Sequence, residues 1–345
     1  TTVLKLSGIQ YQKFMRIKSS MKKLLTAFIS ILVLTGLATQ ASDLVIESKS
    51  QTYNEAENKI KFNGNVKVSV DDLKVVGDKA DVSVTKDQNL DTATFYDKPY
   101  AFEVKKNKKR EVKANILKVS LITKVIRAEG DTQSVVFEGK TPVVVINSNV
   151  QEYDTKTGVM TATGAVTMLY KEIETFSNSA QITTDKNGDL KRLVLTGNAR
   201  VKQENNESFA DRFVYEASSG NLTAYGNTTS NATMDDGAKL TLKSGFQEYN
   251  QKRGIFNASG NVRIWYQDYY AAGPKVTLYP GADGKPNQAC FTGRSSITQG
   301  VRTIFADRIK MTMKPKSFDA QGNTRTVIKN IGSGSDDNSG MTLGL

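Results

Sequence analysis

The sequence predicts an all-β chain of stacked antiparallel hairpins, elongated along the stacking direction, with two sheets sharing one core. Three observations carry that prediction. The composition is strand-and-turn in character, with Val, Thr, Asn, Gly and Lys prominent and only 6 Pro in 345 residues, a mixture that favours short strands joined by polar turns. Apolar residues alternate with polar ones at a period of two along most of the chain, which places them on one face of a strand. A turn residue, nearly always Gly, recurs every 29 to 34 residues.

The N-terminus reads as an address. Met21-Lys22-Lys23 precedes an apolar stretch from Leu24 to Ala38, followed by Thr39-Gln40-Ala41 and Ser42. This is the basic, apolar, small-residue order of a secretory signal, with cleavage expected after Ala41 and an exported mature chain. The apolar run is shorter than the roughly 20 residues of a spanning helix. An uncleaved segment would instead make the chain a membrane-anchored component. Residues 1–20 fall outside this layout and stay unassigned.

Charge is uneven. The chain carries a formal +12, but Lys5, Lys13, Arg16, Lys18, Lys22 and Lys23 all precede the first acid, Asp43. Taking those six from the 47 bases leaves 41 against 35 acids, or +6. That excess suits an anionic partner such as lipid phosphate or a membrane surface, and it is not a nucleic-acid footprint. With no His and one cysteine, Cys290, the usual proton shuttle, an intrachain disulfide and a Cys-based zinc site are all excluded. Carboxylates are plentiful, yet no catalytic pair stands out, and no cofactor or enzymatic activity is expected.

The repeat is the strongest signal. Gln51-Thr52-Tyr53 leads to Gly64-Asn65-Val66, Gln151-Glu152-Tyr153 to Gly164-Ala165-Val166, and Gln247-Glu248-Tyr249 to Gly260-Asn261-Val262, with eleven residues from Tyr to Gly each time. Ala210-Asp211-Arg212 recurs as Ala306-Asp307-Arg308, offset by 96. Large repeats of about 43–142, 143–240 and 241–330 follow, with a Gly/Ser/Asp-rich tail at 331–345. Turn residues at Gly64, Asp97, Gly130, Gly164, Gly197, Gly226, Gly260, Gly293 and Gly322 define nine smaller units. Each has apolar residues four and two positions earlier, such as Met160 and Ala162 or Phe318 and Ala320. Gly at the turn would supply the positive φ of a tight reversal. Alternation resumes afterwards, as in Val66, Val68 and Val70 or Val166, Met168 and Tyr170. A hairpin with one apolar face must stack on its neighbours to bury it, so a continuous apolar stripe facing a second sheet is expected, with open sheet ends that invite strand addition.

These elements at these spacings, behind an export signal, resemble the LptA/OstA family of periplasmic lipopolysaccharide-transport proteins over residues 43 to about 330. The resemblance implies a folded-over antiparallel β-jellyroll whose apolar interior shields the acyl chains of lipid A while the sugars project outward. It also implies end-to-end β-sheet contact with other Lpt-type proteins or with a second copy of the chain. The candidate lipid-lining residues are Val66, Val68, Val166, Met168, Val262 and Ile264, with Phe213, Tyr215, Ile309 and Met311 from the second repeated block. The same residues could instead fill a closed core. Rival readings are a structural or adhesive β-solenoid that binds polysaccharide at the cell surface, and an LptC-like component anchored in the inner membrane.

Three smaller features complete the reading. Lys105, Lys106, Lys108, Lys109 and Arg110 make a basic cluster that reads either as a lipid-phosphate contact or as a solvated hairpin tip. Asp185-Lys186-Asn187-Gly188-Asp189 lacks the ligand series of a calcium loop and reads as an Asn-Gly turn. Trp265, Tyr266, Tyr269 and Tyr270 form an aromatic patch suited to sugar stacking or to cross-strand packing.

Overall fold

The computed structural model describes residues 45–329 except 71, 72, 88, 106, 107, 124, 155, 171, 186–189, 235, 236, 283–285, 314 and 316. The export signal, the N-terminal extension, the C-terminal tail and most of the Asp185–Asp189 turn lie outside the described residues. The chain divides into two compact units, one of residues up to 230 with 248–253, the other of residues 231–247 with those from 254 onward.

The first unit is built from β1 (Val45–Glu47), β2 (Ser50–Asn54), β3 (Lys59–Val70), β4 (Leu73–Val84), β5 (Leu90–Tyr96), β6 (Tyr100–Lys105), β7 (Lys108–Lys113), β8 (Ile116–Ser120), β9 (Val125–Glu138), β10 (Thr141–Asp154), β11 (Val159–Tyr170), β12 (Ile173–Thr184), β13 (Leu190–Gln203) and β14 (Asn206–Glu216). β15 (Asn221–Thr233) and β16 (Lys239–Asn250) contribute residues to both units. The second holds β17 (Ile255–Tyr266), β18 (Tyr269–Pro280), β19 (Pro286–Gln299), β20 (Arg302–Thr312), β21 (Ser317–Gln321) and β22 (Arg325–Ile328). The strands are antiparallel to their neighbours, as in the runs from β9 to β14 and from β17 to β20.

One expectation is corrected here. The recurrent Gly residues do not close hairpins; they lie in mid-strand, where a single long strand bends. Gly164 and Ala165 have φ of 79° and 48°, and the register of β11 shifts just after Thr163 against both of its neighbours, resuming at Val166 against β12 and at Thr167 against β10. Such a bulge with left-handed backbone turns a strand sharply without ending it. The reversals fall elsewhere, at Gly139-Lys140 and Gln267-Asp268 for example, between consecutive strands. Where the bend is wide enough to interrupt pairing, two short strands share one long partner. β5 and β6 flank Asp97 and both pair with β4, and β21 and β22 flank Gly322 and both pair with β20.

The repeated motifs acquire a physical meaning at these bends. Opposite most of these Gly residues a preceding side chain covers the glycine Cα, whereas Gly260 faces the backbone of Gly245. A Cβ on Gly130, Gly164 or Gly197 would come within 2.6 Å of Asn115, Asn149 or Asn178. The Asp of each Ala-Asp-Arg motif takes the same place. Asn227 donates to Asp211 (3.2 Å) and Asn323 to Asp307 (2.7 Å), so Ala-Asp on one strand and Gly-Asn on the next are two halves of one corner. The backbone joins in, with Asn115 and Asp307 donating N–H bonds to the carbonyls of Gly130 and Gly322 (3.0 and 2.9 Å).

Each bent strand has two limbs, and apolar residues on both limbs enter the same core. In β11, Met160 and Ala162 before the bend and Val166, Met168 and Tyr170 after it are all buried in one cluster. The sheet is therefore folded over on itself, limb facing limb. Three apolar clusters result, one drawn from residues 46–128, one from 136–224 and one, in the second unit, from 240–320. The last repeat departs from the pattern, because Phe318 on β21 is 40% exposed.

Candidate functional site

The inner faces of the folded-over sheets are the candidate site, and their lining follows from register. On one limb, cross-strand neighbours run Ala80, Phe95, Leu117, Ala128, Gln151, Ala162, Ala180, Leu195 and Phe213. On the other they run Val75, Ala101, Val112, Ser134, Ile146 and Met168. Period-two alternation delivers these side chains inward and their chain neighbours outward, so Met168 is 2% exposed and Leu169 43%.

Of the ten residues predicted to line the interior, Val66, Val68, Val166, Met168, Phe213, Val262, Ile264 and Ile309 are buried, and Tyr215 and Met311 pack half-buried against the cores. They are not one site. Val66 and Val68 belong to the first cluster, Val166, Met168, Phe213 and Tyr215 to the second, and Val262, Ile264, Ile309 and Met311 to the third. The second unit holds an apolar cavity of about 30 Å³ lined by Ile264 and Met311 together with Leu240, Leu278, Phe291 and Met313. That is room for one or two water-sized groups, not for a hydrocarbon tail.

The expected unbroken apolar stripe is interrupted by polar side chains that sequence reasoning missed. Between the first two clusters, Ser134 donates to Gln151 Oε1 (2.5 Å) from the facing limb, while Gln151 Nε2 donates to the Ile146 carbonyl (3.2 Å). Thr132 Oγ1 bonds the Ser148 carbonyl (2.8 Å) near the bend. Near the limb ends, Arg110 donates to Glu103 (3.0 Å) in a pair whose side chains are only 15% and 8% exposed. Burial pushes the Arg110 guanidinium below its ordinary range, and Glu103 opposes that shift. Buried and hydrogen-bonded, these groups form a polar partition across β6, β7, β9 and β10. The signal was present in the sequence, since Glu103 shares parity with Ala101, and Arg110 with Val112 and Ala114.

The remaining features resolve in place. Lys106 of the basic cluster lies outside the described residues; at the ends of β6 and β7, Lys105 pairs in register with Lys108. Lys109 pairs with Glu111 and lies over the rings of Tyr100 and Phe102, whereas Arg110 turns inward. The aromatic patch is split by the same alternation. Trp265 and Tyr270 sit opposite each other with ring centroids 5.4 Å apart, and Lys243 lies over the indole. Tyr266 and Tyr269 line the cavity instead. Burial holds the phenols of Tyr170 and Tyr215 up at about 12. The Tyr215 hydroxyl is buried without a hydrogen-bond partner among the described residues. Among the described residues no group of three or more acidic, His or Cys side chains could hold a metal ion.

The site is thus the pair of inner faces of folded-over antiparallel sheets, apolar apart from the polar groups above. The family model described as LptA/(LptD N-terminal domain) LPS transport protein matches residues 45–141 and 145–280, and the chain belongs to this lipopolysaccharide-transport family. Among solved structures the chain is similar to LptH from Pseudomonas aeruginosa, described as the LptA homologous periplasmic component of the conserved lipopolysaccharide transport device. The identity is 12%, over 37% of this chain and 95% of that one, with a TM-score of 0.33. No curated protein matches the chain.

Proposed function

We propose that the protein is a periplasmic, non-enzymatic carrier that takes the acyl chains of lipopolysaccharide between the two limbs of its folded-over sheets and moves the lipid toward the outer membrane. The observation that carries this reading is that the two inner faces of a lipopolysaccharide-transport family member form apolar clusters, with residues such as Val166, Met168 and Phe213 sealed from water. Shielding is the physical task. Each methylene kept from water is worth about 0.8 kcal/mol, so a chain of a dozen carbons needs roughly 10 kcal/mol of cover to cross an aqueous space. Exchanging side-chain contacts for hydrocarbon contacts costs little by comparison, because both are apolar. Entry is from the side opposite the bends, where the limb ends carry the hairpin reversals.

The export pattern at 21–41 supports a periplasmic location, and the family supports other transport proteins of this kind as partners. Strands β1 and β2 offer a contact surface, with Val45 and Tyr53 at 50% and 56% exposure, for end-to-end strand addition by such a protein or by a second copy.

The test is direct capture. Tagged protein incubated with lipopolysaccharide and recovered by its tag should carry lipid, and Met168→Arg, which puts a charge on the inner face, should carry several-fold less while remaining folded. Equal recovery by both proteins, or none by the native one, would refute the carrier reading.

A further inference from the structure

One inner row of the first unit runs, strand by strand, Leu73, Glu103, Arg110, Val136, Val144 and Tyr170. Two charges interrupt an otherwise apolar line. Glu103 is the one charged residue in the buried class among the described residues, and Arg110 lies directly opposite it at 3.0 Å. Stability does not account for such a pair, since the cost of desolvating two charges rivals their attraction and apolar residues of the same volume would serve as well. Pairs elsewhere on this unit, such as Arg127 with Glu129 and Glu152, keep their side chains 26% to 42% exposed; this one is turned inside.

Its position is specific. The row lies just inside the limb ends, next to the β6–β7 and β9–β10 reversals. The guanidinium therefore stands where an apolar interior gives way to water, the level at which an amphiphile's polar end emerges. A planar fork of N–H donors there matches a phosphate bidentately, which an ammonium cannot do.

We propose that Arg110 is a docking point for a phosphate monoester at the polar end of a lipid whose tails lie in the neighbouring apolar cluster, with Glu103 holding the guanidinium in place until the phosphate competes for it. This rests on the carrier reading above and adds to it the polar anchor. Lipid orientation follows, because a phosphate fixed at Arg110 leaves the tails on the apolar side of the partition.

The experiment compares binding of lipid A with that of dephosphorylated lipid A to the full chain, with inorganic phosphate as competitor. The native protein is expected to prefer the phosphorylated lipid by about tenfold, the scale of one lost charge-assisted contact. The Glu103→Gln/Arg110→Gln double variant removes both charges without stranding either, and should bind the two lipids alike. Arg110→Lys, with Glu103 kept, should retain only part of the preference. Retention of the full preference by the double variant overturns the proposal, as does displacement of lipid by inorganic phosphate at equal concentration. Equal binding of both lipids by the native protein overturns it while leaving the carrier reading intact, and binding of neither by the folded native protein overturns both.

Discussion

A single Cα position decides whether a strand of this protein can bend. Gly164 has φ +79°, and a Cβ there would meet Asn149 at 2.6 Å, whereas Gly139, at φ +62° in a reversal, has nothing within 4 Å. Gly164→Ala should therefore cost about 2 to 3 kcal/mol of stability and Gly139→Ala only about 1, compared by chemical denaturation. Ala165 occupies the left-handed position that Asn takes at Asn65, Asn198, Asn227 and Asn261. Ala165→Asn should stabilise by about 0.5 to 1 kcal/mol in the same assay, since Asn tolerates that backbone better. Tyr215→Phe removes a buried hydroxyl with no partner among the described residues and is expected to be neutral or stabilising by about 1 kcal/mol. The pH dependence has a definite sign. Below pH 10 the phenol is neutral in folded and unfolded chains alike. Between pH 10 and about 12 only the unfolded chain ionises it, so stability falls with rising pH. Tyr215→Phe should reduce that alkaline loss.

Strand pattern was legible in the sequence and strand length was not. Alternation placed Met160, Ala162, Val166, Met168 and Tyr170 on one face correctly, yet Gly164-Ala165 between them looked like the end of a strand. A Gly-Asn pair between alternating runs signals a two-residue reversal and a mid-strand bend equally well. What separates the two is pairing with both neighbouring strands across the bend, a long-range fact no local window contains. The polar partition was overlooked for a different reason. Gln151 was visible as a repeat marker, but its inward direction follows only once Ala128 and Ala162 are known to flank it. Element-level consequences are testable through this tie. Gln151→Leu strands the buried Ser134 hydroxyl and should cost about 1 to 3 kcal/mol, while Ser134→Ala/Gln151→Leu should recover most of it. A double variant no more stable than Gln151→Leu would show that the bond between the limbs is not what holds this part of the interior. The exposed Phe318 belongs to the same scale, since β21 lies on the outer side of β20 and lacks the cover that Ala289 and Phe291 enjoy between two neighbours.

Across the whole molecule, a folded-over sheet solves a problem that a closed barrel or a flat sandwich does not. Backbone bonds join the two limbs of a strand at the bend, so under the proposed carrier function apolar cargo enters from the opposite side without breaking a ladder. On the same proposal, the polar groups between the first two apolar clusters set separate places for tails in the first unit. The direct measurement is photo-crosslinking to lipopolysaccharide from two adjacent positions, Met168 and Leu169, which alternation sends to opposite faces. Capture of lipid from position 168 and little or none from 169 is the predicted result; equal capture from both, or capture from 169 alone, would contradict a lipid held between the limbs.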